Sequence, residues 1–168
     1  LKMFFPAGFY YKTFMWPPSF WYKIYEPFIR MAAGFGEASI KHDKERYEHK
    51  YEYCDLLITG SGPSGLASAY AAAKNGARVI LAEDKPRYGG SLLTSDVNIG
   101  NQTGAEWSEK IITELKSMSN VIVKNRSQVF GYYDHNMLVM SERISDHLPK
   151  TQKYLPKQRL WYIRAKEV

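Results

Sequence analysis

Hydrophobic and polar positions change their rhythm along the chain near residue 54. From Asp55 onward, Leu56, Leu57, Ile58 and Thr59 form a short apolar run that ends at a glycine, as in a parallel strand buried on both faces. Ser64 to Lys74 has the pattern of a helix, with Asn75-Gly76 as its stop signal. Ala77 to Ala82 is a second strand. Strand, tight turn, helix and strand make a βαβ unit. Ile111, Ile112, Leu115 and Met118 share one face at helical spacing and predict a helix over 107–119. "NVIVKN" follows as a third strand. "SQVFGYYD", "NMLVMSER" and "RLWYIRAKEV" are three further segments of strand character, the first two joined by a turn at Asp134-His135-Asn136. The expected architecture is α/β, with a β-meander inserted after the third strand of a parallel sheet.

Upstream the pattern differs. Residues 1–36 are dense in aromatics, among them Phe4, Phe5, Phe9, Tyr10, Tyr11, Phe14, Trp16, Phe20, Trp21 and Tyr22. Prolines at 6, 17, 18 and 27 are expected to interrupt a long helix there. "PFIRMAAGFG" predicts a short helix ended by a glycine. The segment is too apolar for a disordered linker, so it is expected to pack on the neighbouring domain or on a partner. "KHDKERYEHKYEY", residues 41–53, reads as a charged, exposed connector. The expected division is therefore 1–53, an aromatic-rich extension with its connector, and 54–168, a domain of its own.

Composition narrows the function. Of the 168 residues, 45% are hydrophobic and 24% charged, enough apolar material for a core with an ordinary surface. The net charge of +6 raises nucleic acid as a partner, but the basic residues are interspersed with acids, as in Lys41, Lys44, Arg46 and Lys50 among Asp43, Glu45, Glu48 and Glu52. Lys150, Lys153, Lys157 and Arg159 form a sparse cluster that suits a solvated face better than a phosphate-tracking groove. No nucleic-acid partner is expected. Cys54 is the only cysteine, which excludes an internal disulfide and a Cys-rich metal site and fits a small buried hydrophobe. His42 and His49 have no ligand partner at metal spacing, and His147 has no evident partner. No apolar run reaches the roughly 18 residues that span a bilayer, and Lys2, Pro6, Lys12, Pro17 and Pro18 interrupt any signal-peptide core, so no membrane is expected.

The candidate chemistry lies in "GSGPSG". Gly60 permits the tight turn out of the first strand, Gly62 lets a pyrophosphate approach the backbone, and Gly65 lets the helix lie close to the sheet. Pro63 gives up only an amide the helix would not use, and Ser64 opens the helix whose free N–H groups face a diphosphate. Ala69 and Ala72 continue the small face. Glu83 ends the second strand, about twenty residues on, where a carboxylate can accept from ribose hydroxyls. It disfavours a 2′-phosphate, so NAD or FAD is expected over NADP, while Asp84, Lys85 and Arg87 stand beside it. In "RYGGSLL", Gly89 and Gly90 again allow backbone near a diphosphate and Ser91 adds a hydroxyl; a plain flexible turn is the alternative. Strand, glycine loop, helix and acid together point to a Rossmann-like FAD/NAD(P)-binding domain of three layers, incomplete at its C-terminus. Asp134 and His135 are adjacent and are expected to serve a structural turn rather than an acid/base pair; Tyr132 and Tyr133 are expected to pack on the sheet. No catalytic or metal-ligating residue is assigned.

"AGFYYKTFMWP", "YEPFIRMAAGFG", "RYGGSLL", "VFGYYDHN" and "RLWYIRAKEV" resemble the α subunits of heterotetrameric sarcosine oxidases over nearly the whole chain. The resemblance implies a cytoplasmic bacterial flavoenzyme that oxidises sarcosine to glycine with peroxide formation and passes a one-carbon unit to tetrahydrofolate. It implies NAD in this domain, held by Gly60, Gly62, Gly65, Glu83 and the Gly89-Gly90 loop, with FAD and FMN elsewhere in a hetero-oligomer. It also implies a much longer subunit, so this chain is expected to be a fragment with an unpaired strand edge, not catalytic alone. An independent FAD-dependent oxidoreductase using the same site, and a non-catalytic interaction module docking through the aromatic segment, are the alternatives.

Overall fold

The computed structural model of the chain describes residues 17–36, 39–149 and 154–168. The aromatic positions up to Trp16, and Lys150 and Lys153 of the basic cluster, lie outside the described residues. The chain divides into two compact units, residues 1–43 and 44–168.

In the first unit, helical turns at Pro18–Phe20 and a π-helical turn at Trp21–Tyr25 run into α1 (Glu26–Ala32). Pro27 does not break the run. It occupies the first turn of α1, where a missing N–H costs no helical bond. Gly34, at φ +71°, ends the helix: its amide donates to the Met31 carbonyl and the Phe35 amide to Arg30, the paired bonds of a left-handed C-terminal cap. Phe28, Met31 and Phe35 are exposed.

The second unit is built on a six-stranded sheet in the order β5-β2-β1-β8-β7-β6. β1 (Tyr47–Thr59), β2 (Val79–Ala82) and β5 (Val121–Lys124) run parallel with β8 (Gln158–Glu167). β6 (Ser127–Tyr133), β7 (Met137–Arg143) and β8 form the antiparallel meander. α2 (Pro63–Lys74) and α3 (Gly104–Ser117) complete the crossovers. Two very short strands, β3 (Asn98–Ile99) and β4 (Gln102–Thr103), pair between them.

β1 corrects the expected connector. Residues 47–53 are strand, because Tyr47 to Cys54 pair residue by residue with Gln158 to Ala165 of β8. Charged side chains there alternate with tyrosines, and the pattern looks polar until the partner strand is known. At Asp55 and Leu56 both amides donate to the Arg78 carbonyl, a bulge that switches which face the side chains occupy. Cys54 and Leu57 consequently point to one face, Leu56 and Ile58 to the other.

β2 reads Val-Ile-Leu-Ala and is buried at every position. Val79 and Leu81 pack with Leu66, Ala69 and Ala73 of α2 and with Ile111, Ile112 and Leu115 of α3. Ile80 and Ala82 pack with Leu138 and Met140 of β7 and Trp161, Ile163 and Ala165 of β8. Helices thus cover one face and the curled meander the other, which gives the three layers. α2 stops at Asn75 with Gly76 at φ +85°, its amide donating to Ala73 and that of Ala77 to Ala72. α3 begins three residues earlier than its apolar spacing predicts, because Thr103 and Glu106 form a reciprocal capping box.

Candidate functional site

β1 leaves the sheet at Gly60, whose amide donates to the Ala82 carbonyl at 2.7 Å while its φ of +97° makes the turn. Gly62 caps α2 in an extended conformation, and Pro63 takes the first helical position. A side chain at Gly65 would fall on the Gly60 carbonyl oxygen, so only glycine lets the helix approach the strand this closely. At Gly60 and Gly62 the opposite holds: a Cβ there would have no protein atom within 4 Å. Their backbone faces open space at the start of a 12-residue helix. The first amides of that helix, Ser64 and Gly65 among them, lack intrahelical acceptors. Bare backbone, free amides and the positive end of a helix dipole form a surface that fits a diphosphate.

Beside this turn, at the carboxyl ends of β1 and β2, lies a crevice of about 270 Å³ lined by Thr59, Gly60, Ala82, Asp84, Ser127, Gln128 and Val129. The start of β6 hangs over it through backbone bonds: Ser127 N–H to the Glu83 carbonyl at 2.8 Å and Arg126 N–H to the Lys85 carbonyl at 3.1 Å. Asp84 is exposed on the crevice wall. A hydrogen bond with Glu83, and then Lys85, holds its carboxyl below the usual range.

Glu83 is buried behind that wall, with 5% of its surface exposed. Its Oε2 accepts from the Ser61 amide at 2.8 Å and the Ser61 hydroxyl at 2.5 Å; its Oε1 accepts from the Lys85 amide at 3.0 Å. Ser61, fully buried, also takes the Gly89 amide on its carbonyl and its hydroxyl, each at 3.1 Å. The second glycine loop is therefore latched to the first. Gly89 has φ +122°, and a Cβ on Gly90 would sit 3.0 Å from the Gly62 Cα. Tyr88 anchors this loop, its phenol pushed up to about 12 by burial. Gly90 to Leu93 then form a single 3₁₀ turn.

The sequence-derived residues hold distinct positions. Gly60, Gly62, Asp84 and Gly90 surround the open turn. Pro63, Ser64, Lys85, Arg87 and Ser91 are exposed. Gly65, Glu83 and Gly89 are packing and anchoring positions. Sequence reasoning passes over Ser61, which sits inside the glycine motif as an unspecified position, and Ser127 to Val129, which reach the crevice only through the return of β6. His135 lies in the β6–β7 turn at φ +58° and its carbonyl accepts from Arg164, a turn role. Tyr132 and Tyr133 are exposed rather than packed on the sheet, although both still pair with β7 beyond the register shift at Val129–Gly131. Arg159 of the basic cluster is engaged by Glu48 and Glu142 at 2.8 and 3.2 Å. Among the described residues no group of three or more His, Cys, Asp or Glu could hold a metal ion, and no helix is long and apolar enough to cross a membrane.

A model of the FAD dependent oxidoreductases matches residues 55–144, from the glycine strand to the end of the second meander strand. The chain is 47% identical over 165 residues to the sarcosine oxidase alpha subunit of Rhizobium meliloti (strain 1021), a match that covers 98% of this chain and 17% of that protein. It is 35% identical over 141 residues to the sarcosine oxidase alpha subunit of Corynebacterium sp. (strain U-96), covering 82% of this chain and 14% of the relative. The corresponding protein of Corynebacterium sp. (strain P-1) is 34% identical over 137 residues, covering 80% of this chain and 14% of its own length. The chain spans less than a fifth of the length of these curated relatives. Among solved structures, L-proline dehydrogenase from P. horikoshii shares the fold, with a TM-score of 0.51 at 16% identity over 76% of this chain and 24% of that one.

Proposed function

Because the chain belongs to the FAD dependent oxidoreductase family, we propose that its glycine turn holds the adenosine diphosphate half of a dinucleotide, as part of an oxidoreductase subunit of the sarcosine oxidase α type. The observation that carries this is the bare backbone of Gly60 and Gly62, which opens onto the amides of α2 beside a crevice at the strand ends. The diphosphate would lie on the helix amides, Glu83 would take a ribose hydroxyl, and Asp84 with Ser127 to Val129 would border the adenosine.

NAD is the first assignment for the ligand, with Gly60, Gly62, Pro63, Ser64, Gly65, Glu83, Asp84, Lys85, Arg87, Gly89, Gly90 and Ser91 as its surroundings. It rests on the resemblance to the α subunits, in which the flavins lie elsewhere in the assembly. FAD in this same turn is the second, and the family description favours it. Either group would supply a hydride acceptor when bound. The residues around the turn bind and orient; none of them is placed to move a proton on an amine. The amine chemistry, oxidation of sarcosine to glycine with peroxide formation and transfer of the one-carbon unit to tetrahydrofolate, would belong to the whole assembly in the cytoplasm. Its other subunits, with FAD and FMN, would be the partners.

Denaturing the purified chain and weighing the released nucleotide tests the proposal. NAD is expected; FAD, with flavin absorbance in the native protein, would establish the second assignment. A chain that releases no nucleotide and binds neither would defeat both.

A further inference from the structure

At the start of β1, side chains alternate between the Cys54–Trp161 core and an outer face, where Tyr47, His49, Tyr51 and Tyr53 are exposed at every second position. Three rings of this face form a stack. Tyr162 of β8 lies 5.0 Å from Tyr51 and 5.9 Å from His49, centroid to centroid, at interplanar angles of 15° and 12°. Aromatic pairs attract at these separations. The ladder repeats every two residues: Tyr51 is opposite Tyr162, His49 opposite Leu160, and Tyr47 opposite Gln158. Shifted back by one repeat, the positions of Tyr51, Tyr162 and His49 are held by His49, Leu160 and Tyr47. Leucine lacks the flat ring and the length of tyrosine. A cavity of about 240 Å³ opens at this place, lined by Tyr47, Glu48, His49, Ser141, Gln158 and Leu160. It is roughly 35 Å along the strand from the glycine turn, and so is separate from the nucleotide crevice. Its size falls below the roughly 300–1,000 Å³ of pockets that enclose a whole ligand, and suits one ring system.

We propose that this cavity seats a single planar aromatic ring bearing a hydrogen-bond donor, stacked on His49 and Tyr47 over Leu160 as the next ring of the ladder. The polar lining favours a donor. The Gln158 side-chain N–H donates to Asp146 at 3.2 Å, and the oxygen of the same amide can only accept. Ser141, opposite Leu160 on β7, brings a hydroxyl that also accepts. The Glu48 carboxylate is held by Arg159 at 2.8 Å, where its charge is balanced, so a neutral ring is the match. An indole or a phenol has both the ring and the donor. Its source is a free small molecule or an aromatic side chain of another protein.

Indole is the probe, titrated into the isotope-labelled full chain and followed by NMR. It is expected to shift the amides of residues 47–49, 141 and 158–160 along one saturable curve and to leave those of 60–65 in place. N-methylindole, the same ring without the donor, binds about three- to tenfold more weakly, the worth of one neutral hydrogen bond. Cyclohexanol, a donor without a flat ring, gives no saturable shift. Tyr47→Leu removes one stacking wall and weakens indole about two- to tenfold. Leu160→Phe places a ring of the chain's own in the cavity and abolishes indole binding; Tyr47 is exposed, so its variant serves should Leu160→Phe fail to fold. N-acetyltryptophanamide separates the two sources. Affinity equal to indole's marks a site open to a protein side chain, and a loss confined to it marks a free small molecule; either result upholds the ring site. Indole shifts that stay linear, cyclohexanol bound as tightly as indole, or full indole affinity in a folded Leu160→Phe or in Tyr47→Leu would overturn the inference and leave the nucleotide reading intact.

Discussion

Gly65 shows how little freedom some single positions have. Its Cβ would meet the Gly60 carbonyl, a backbone atom that cannot turn aside, so Gly65→Ala is expected to lose about 1–3 kcal/mol in a denaturant melt. The same substitution at Gly62 meets open space and should leave the melt unchanged within about 0.5 kcal/mol while weakening nucleotide binding. Asp55 accepts from Arg78 and from Lys166, and these hydrogen bonds, that to Arg78 the larger, hold its carboxyl well below the usual carboxylate range. A folded-state value depressed below the unfolded one, near 3.9, contributes stability above that pH and loses it as pH falls toward the folded value. The melting temperature should therefore drop below about pH 4, and less steeply in Asp55→Asn. Cys54, only 1% exposed, has its thiol pushed up to about 11 by burial. It should resist alkylation in the native protein at neutral pH and react at once on unfolding. The glycine spacing and the acid at Glu83 are legible in the sequence because each demands a residue type. Ser61 is not, because a buried serine declares itself only through the partners brought to it.

Elements are legible in proportion to how local their determinants are. α2 is expected from Ser64 and begins at Pro63, since its proline, alanines and Asn75-Gly76 stop all act within the helix. The apolar stripe alone places α3 three residues late, because it omits the cap. The Thr103 hydroxyl oxygen accepts from the Glu106 amide, while the Glu106 carboxylate accepts from the Thr103 amide and hydroxyl. Thr103→Ala should cost about 1 kcal/mol in a denaturant melt. β1 reads too short by the same logic in reverse. Its first seven residues alternate tyrosine and histidine with charge but carry no aliphatic side chain, and what pairs them is the parallel partner β8, more than a hundred residues away. Polar pairs fill that stretch, with Glu48 bonded to Arg159, and tyrosines stack, Tyr51 on Tyr162 at 5.0 Å between ring centroids.

For the second unit as a whole, β8 is the shared member of both the parallel and the antiparallel ladders. Trp161 on this strand is 1% exposed, and its indole N–H donates to Glu142 at 2.7 Å, which also accepts from Lys124 and Arg159. Trp161→Ala should cost about 3–5 kcal/mol. The meander and the parallel sheet should melt in one transition, seen as coincident loss of amide-exchange protection in β2 and β7, because they bury opposite sides of one core. Separate transitions in the two would show that β8 does not couple them.

The chain's own order of residues determined the βαβ start, the glycine turn and the identity of the acid that follows it, because a turn without side chains and a strand buried on both faces each impose a local composition. Tertiary structure decided which strands neighbour each other, that β6 returns over the crevice, and that Glu83 is gripped by Ser61 and the Lys85 amide. Those outcomes depend on hydrogen bonds and contacts between residues far apart in sequence, and no local pattern encodes them.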